Sequence, residues 1–283
     1  MKLMMFVKHL QSLPIEQSAA AMRELGFDGM DLTVRPAGVV KPQNVRQELP
    51  RVMRIIASHG LQVPLITTDI LRADEDAVAI FETAAALGIR EIKLGYHKYE
   101  KFGTFRHTLH QMHHDLDGIE LLAKRLNVRS NLHIHSNDHM TAQPAVVWDL
   151  IRHRDPDAIG AYVDPGHMFT EGGRDVWRQG LDLLGDRITL VAIKDVAWEK
   201  VPDSDALKPR WQVRVVPLSH GIVQWPDVFA RLRDLKFDGW FSIHSEYPGL
   251  NPAEVIEQTR ADLSYLREIA VAWGGHRPPP RFS

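Results

Sequence analysis

In Ala161-Tyr162-Val163-Asp164-Pro165-Gly166-His167 a short apolar run reaches a carboxylate, breaks at Pro-Gly and presents an imidazole three residues on. Asp164 at the carboxyl end of a buried strand, with His167 on the loop above it, would stand where parallel α/β folds bind ligands. The same residues also fit a strand and a Pro-Gly turn, with Asp164 capping whatever follows. Other segments end in the same way. Residues two apart on a strand share a face, which pairs Tyr162 with Asp164, His133 with His135, Ala192 with Lys194, and His244 with Glu246. Thr67 with Asp69, and Asp31 with Thr33 and Arg35, make similar sets. Such groups on one rim could hold a metal, move a proton or bind hydroxyls. Inside an apolar barrel they need partners, water or an ion.

Strands alternating with helices would bring these ends together. Apolar runs at 3–7, 29–34, 62–67, 91–94, 128–135, 159–163, 188–193 and 240–244 read as eight strands. Between them, Ile15/Ala19/Met22, Val45/Leu49/Val52/Ile56 and Val78/Phe81/Ala85 keep helical spacing and stop at Gly26, Gly60 and Gly88. Further helices are expected over 104–126, from about Pro144, and over 175–184, 226–235 and 251–272. This pattern predicts a single (β/α)8 TIM barrel over residues 1–276. A doubly wound open sheet is the competitor, but the Gly-rich dinucleotide loop is missing after the first strand. The 195–225 connection is long and carries Trp198 and Trp211, with an extended piece at Gln212–Val216. It reads as a lid, or as a surface hairpin packed by its own tryptophans. Residues 277–283 form a Pro-rich tail that could touch another subunit, which allows a homo-oligomer.

Composition narrows the function classes. The 283-residue chain has no cysteine, so thiolate chemistry, thiolate metal sites and disulfides are excluded. A net charge of −2 and no dense Lys/Arg cluster in the rim loops argue against nucleic acid. No apolar run approaches the ~20 residues of a membrane span, and the first residues do not make a signal peptide, so a cytoplasmic location is expected. Of fifteen histidines, His107, His110, His113 and His114 fall on one helix face and read as a solvated or interface stripe.

Several stretches together resemble the xylose isomerase-like barrels grouped as sugar phosphate isomerases/epimerases. They are Leu25–Pro36, His133-Ile134-His135-Ser136, Tyr162–His167, Ile193-Lys194-Asp195, Phe237–Trp240 and Ser245-Glu246-Tyr247. The resemblance covers nearly the whole chain. It implies one divalent ion (Mn, Zn or Mg) on His133, Asp164 and Glu246, with Ala192 where the family commonly has a fourth ligand, His. Three protein ligands plus water or substrate is a usual catalytic arrangement. A metal-free variant is the alternative, with Lys194 supplying positive charge.

The function expected from this resemblance is a carbohydrate isomerase or epimerase that removes a proton next to the carbonyl of a keto-sugar. Glu246 would be ligand and general base, His167 would orient a hydroxyl or shuttle a proton, and Lys194 would stabilise the enediolate. Arg35, His135, His9 and Trp198 would bind the substrate. A keto-sugar lyase or dehydratase on the same barrel, or a degenerate sugar-binding barrel without turnover, are the alternatives. The related apurinic endonucleases need many more His and carboxylate ligands than this chain offers.

Overall fold

The computed structural model describes residues 1–202 and 207–272. Strands β1 (Lys2–Phe6), β2 (Gly29–Val34), β3 (Gln62–Thr68), β4 (Glu91–Lys93) and β5 (Arg129–His133) come first. They are followed by β6 (Ile159–Val163), β7 (Ile188–Ile193), β8 (Asp195–Lys200), β9 (Trp211–Val216) and β10 (Trp240–Ile243). Eight of these close into a parallel barrel in the order β1-β10-β7-β6-β5-β4-β3-β2, while β8 and β9 pair separately. The connecting helices begin with α1 (Ile15–Leu25), α2 (Val45–Ser58), α3 (Glu75–Ala86) and α4 (Phe105–Leu126). The remainder are α5 (Pro144–Ile151), α6 (Pro165–Leu184), α7 (Trp225–Asp234) and α8 (Pro252–Ala272). The molecule is therefore a (β/α)8 TIM barrel, as the sequence predicts. No helix of the described residues is long and apolar enough to cross a membrane.

Each helix buries the face its spacing predicts. In α1 that face is Ser18, Ala19, Met22 and Leu25, and Gly26 ends the helix at φ 89°, a left-handed conformation that costs glycine little. The stripe on α4 is mostly solvated, with His113 Nε2 3.0 Å from Asp149 on α5. Met4, Leu65, Tyr162, Leu190 and Ala192 form a small buried cluster apart from the main core, and strand alternation places it inside the barrel. Side chains two residues further along these strands open into the mouth at the carboxyl ends.

Two elements differ from the sequence reading. The 195–225 excursion is the hairpin that the sequence offers as the alternative to a lid, but its first strand is not expected: β8 leaves straight from the end of β7 and pairs antiparallel with β9. Only its second strand was legible as extended. Asp195 fixes the base of this hairpin: it accepts from the Val196 and Val223 amides and from the Trp225 indole N–H at 2.8–3.0 Å. A side chain at Gly221 would overlap that carboxylate, so the close approach requires glycine. The other difference is α6, which starts at Pro165 rather than near 175. Pro-Gly reads as a turn, yet proline at a first helical position is pre-shaped for the helix when a carboxylate caps it. The non-helical Gly173 (φ 59°, ψ −142°) divides α6 and hides its first half from the periodicity. The Pro-rich tail, 277–283, lies outside the described residues.

Candidate active site at the barrel mouth

Asp164 serves as both cap and site residue. One oxygen, Oδ1, accepts from the His167 amide at 3.0 Å and caps α6, while Oδ2 faces the mouth. The helix N-terminus further favours a carboxylate there. Capping turns His167 back over the strand ends, where Nδ1 meets Ser136 Oγ at 2.7 Å and Nε2 meets Lys194 Nζ at 2.6 Å. Lys194 is 3% exposed, and its Nζ lies 3.2 Å from Asp164 Oδ2 and 3.3 Å from Glu246 Oε2. Burial works against its charge, but Asp164 and Glu246 outweigh it and hold the Lys194 pKa above the ordinary value. A Cβ on Gly166 would come within 3.0–3.3 Å of Lys194 backbone and side-chain atoms, so this turn closes tightly on the lysine.

Glu246 is aimed by its neighbours. Ser245 Oγ bonds Thr259 Oγ1 on α8 at 2.7 Å, and the Tyr247 hydroxyl donates to Asp262 on the same helix. With residues 245 and 247 fastened outward to α8, residue 246 points into the mouth. There it pairs with Lys8 at 2.7 Å as well as with Lys194. Burial pushes the Glu246 carboxyl up, but Lys194, His244 and Lys8 prevail and hold it well below the usual carboxylate range.

The far wall is aromatic and neutral. His133 stacks on Tyr162 (ring centroids 4.3 Å apart, 22° between planes), and its Nδ1 lies 2.6 Å from the Tyr96 hydroxyl. Burial drives the His133 imidazole well below its ordinary pKa, against the pull of Asp164. Tyr162 Oη meets His244 Nε2 at 2.8 Å. Beneath them, Asp31 accepts from Thr67 and Ser242 at 2.6 and 3.0 Å. His135 donates Nδ1–H to the Ser136 carbonyl, lies 3.8 Å ring to ring from His167, and is lowered by burial to a pKa of about 3. Lys93 is fully buried with Nζ 3.5 Å from the Tyr96 ring centroid, and burial lowers its pKa to about 7.

Lys93, Tyr96, His133, Lys194, His244 and Glu246 border a cavity of about 70 Å³ that also touches Phe6, Lys8 and Arg35. A larger hollow, about 610 Å³, opens elsewhere among Gln62, Pro64, Glu91, Arg129 and Trp240, at the amino ends of the strands. It lacks the convergence of imidazoles and carboxylates, and in TIM barrels chemistry sits at the carboxyl end.

The profile of the family described as xylose isomerase-like TIM barrel matches residues 19–269. The chain belongs to this family. No curated protein matches it in sequence. Among solved structures, it is similar to 3-keto-D-glucoside 4-epimerase YcjR of E. coli, with 17% identity, TM-score 0.70, and 95% of this chain and 99% of that one covered. It is also similar to the probable 3-DHS dehydratase AsbF of Bacillus anthracis (18% identity, TM-score 0.67, 94% of this chain and 99% of that one).

 A third similar fold is the IolI protein with a bound zinc atom (13%, TM-score 0.74, 97% of this chain and 100% of that one).

A family barrel with zinc raises the question of whether these residues fit an ion. His133 Nε2 and Asp164 Oδ2 are 3.4 Å apart and both fully buried, a separation two ligands of one ion could keep. Two features oppose an ion. Ala192, at the family's fourth ligand position, is packed in the inner apolar cluster. Lys194 Nζ stands between Asp164 Oδ2 and Glu246 Oε2, two of the three implied ligands. With bonds of about 2.1 Å, an ion on Asp164 Oδ2 would lie within about 5.3 Å of Nζ, and a +2 charge there is repelled by roughly 6 kcal/mol at an effective dielectric of 20. The Asp164 and Glu246 charges are already matched by Lys194 and Lys8. Among the described residues no group of three or more His, Asp or Glu is arranged to hold a metal. With Lys194 in place, the residues do not fit a divalent ion.

Of the residues singled out from sequence, the structure brings together Glu246, His167, Lys194, His133, Asp164, His135 and Arg35. His9 is half-buried after β1, and its neighbour Lys8 lines the cavity instead. Trp198 stands 46% exposed on β8, outside the cavity lining. Sequence reasoning missed Lys8, Lys93 and Tyr96. Alternation does not find the lysines: Lys8 lies past the end of β1 in a 3-10 turn, and Lys93 alternates with the apolar Ile92 and reads by type as solvent-facing. Tyr96 lies in a loop, where alternation gives no signal.

Proposed function

We propose that the chain is an isomerase or epimerase acting on a keto-sugar by removing a proton from the carbon next to the carbonyl. The observation that carries this reading is the meeting of Glu246, Asp164 and His167 around the buried ammonium of Lys194. A base and a fixed positive charge within one mouth are what enediolate chemistry needs. The similar barrels that act on sugars support the substrate class. Glu246 takes the proton from carbon; the C–H electron pair forms the C=C bond and the carbonyl pair moves onto oxygen. Lys194 faces that oxygen and stabilises its negative charge. His167, neutral because burial and Lys194 together hold its pKa well below the ordinary value against Asp164, moves a proton between neighbouring oxygens. His133 and His135 border the opposite side, where Arg35 binds a hydroxyl. Delivery of a proton to the same carbon from the opposite side, where His133 and His135 stand, gives the epimer, and return of the Glu246 proton to the neighbouring carbon gives the isomer.

The test is exchange of the substrate C–H with deuterated solvent across a panel of keto-sugars, followed by mass spectrometry. Glu246→Gln keeps the shape but cannot accept the proton, so exchange should fall by about 10² to 10⁴. Unchanged exchange would assign the base elsewhere, and no exchange with any keto-sugar would sink the reading. An unsaturated product formed with loss of water would identify a dehydratase.

A further inference from the structure

We propose that Lys194 is a built-in replacement for the divalent ion found in relatives of this fold, so that the mouth works without a metal. The inference rests on the proposed chemistry for its role, and on the geometry alone for the exclusion of the ion. An ammonium has three hydrogens to give and no lone pair. Around Nζ stand three acceptors, His167 Nε2 at 2.6 Å, Asp164 Oδ2 at 3.2 Å and Glu246 Oε2 at 3.3 Å. Two of these side chains belong to the ligand set the family resemblance implies. The lysine is thus placed among the ligands rather than beside them.

The surroundings keep it there. Gly166 closes on its stem, and a side chain at that position would press on both Lys194 and Asp164. On the same strand face, two residues back, Ala192 contributes a methyl group to the apolar layer of Met4, Leu65, Tyr162 and Leu190. That strand therefore offers no imidazole to an ion, and the positive charge it brings to the mouth is the ammonium two residues later. On the other side, Tyr96 as donor to His133 Nδ1 leaves the ring proton on Nε2, turned towards Asp164. That tautomer offers a hydrogen and no lone pair to a cation. Lys8, paired with Glu246, completes a mouth in which two carboxylates meet two ammoniums. A substrate oxygen enters by accepting one of the Lys194 hydrogens, which frees His167 Nε2 to carry a proton.

The experiment measures bound metal and thermal stability of the full chain without substrate, and deuterium exchange separately. After dialysis against zinc, manganese or magnesium and gel filtration, elemental analysis should find less than about 0.1 ion per chain, and none of the ions should raise Tm. A chelator should leave exchange unchanged. About one ion per chain, or exchange abolished by chelator and restored by an ion, would overturn the proposal. The double variant Ala192→His/Lys194→Ala restores a ligand and removes the ammonium, so it should take up about one zinc per chain with a rise in Tm. If that variant, shown folded by circular dichroism, holds no more zinc than the parent, Lys194 and Ala192 are not what excludes the ion. Because stoichiometry needs no substrate, failure to find a keto-sugar would sink the functional reading and leave the metal result standing.

Discussion

Lys93 gives the sharpest test of the mouth as a physical environment. Its ammonium is buried beside Tyr96, and burial lowers its pKa from 10.5 to about 7 against the opposing pull of Asp69. In the unfolded chain the lysine keeps its proton up to about pH 10.5; in the folded chain it gives it up near 7. Between these values the unfolded state binds more protons, so stability rises with pH by at most ~1.4 kcal/mol per pH unit. The full span caps the contribution at about 5 kcal/mol, present above 10.5 and lost as pH falls through 7. Lys93→Met keeps an unbranched stem and removes the titration. Urea unfolding of both proteins at several pH values isolates the effect, because any packing change in the variant is independent of pH. The advantage of the methionine variant should shrink by about 2 to 3 kcal/mol from pH 7.5 to 9.5. A difference that stays constant within about 0.5 kcal/mol over that range would refute the reasoning.

The base of the hairpin offers another test. Asp195→Asn keeps one acceptor oxygen and turns its amide N–H either towards the Trp225 indole or towards the Val196 and Val223 amides, and should cost about 1–3 kcal/mol in urea unfolding. An unchanged midpoint would show that the carboxylate is dispensable. We further propose that the hairpin is a lid: deleting the stretch from Trp198 to Trp211 should weaken turnover of a keto-sugar while circular dichroism still reports a folded barrel, since loops tolerate loss better than packed strands. Global unfolding of the deletion would instead make the hairpin part of the core.

The barrel was legible because each strand is an apolar run and each helix carries its own stripe. For β2 and β7 the boundaries agree with expectation to the residue. The mouth was legible where a titratable residue ends a strand, as at His133, Asp164, Lys194 and Glu246. What stayed hidden depended on long-range packing. Pairing of Lys8 with Glu246 spans 238 positions and leaves no local trace. Lys93 looks like an ordinary surface lysine until closure of β3 and β4 turns it inward. The dual use of Asp164 could not be resolved into cap or site from spacing, because its two oxygens take one task each.

Anchoring of residues 245 and 247 to α8 carries a consequence for how the protein would fail. The position of Glu246 is fixed from behind, through Thr259 and Asp262 on the last helix, and Asp262 also receives the Leu218 amide at the end of the hairpin. Loosening α8 from the barrel would therefore release the base and one foot of the hairpin together, while the strands stay paired. On heating, function should disappear before the fold does, with inactivation following the grip of a single terminal helix rather than the melting of the whole molecule.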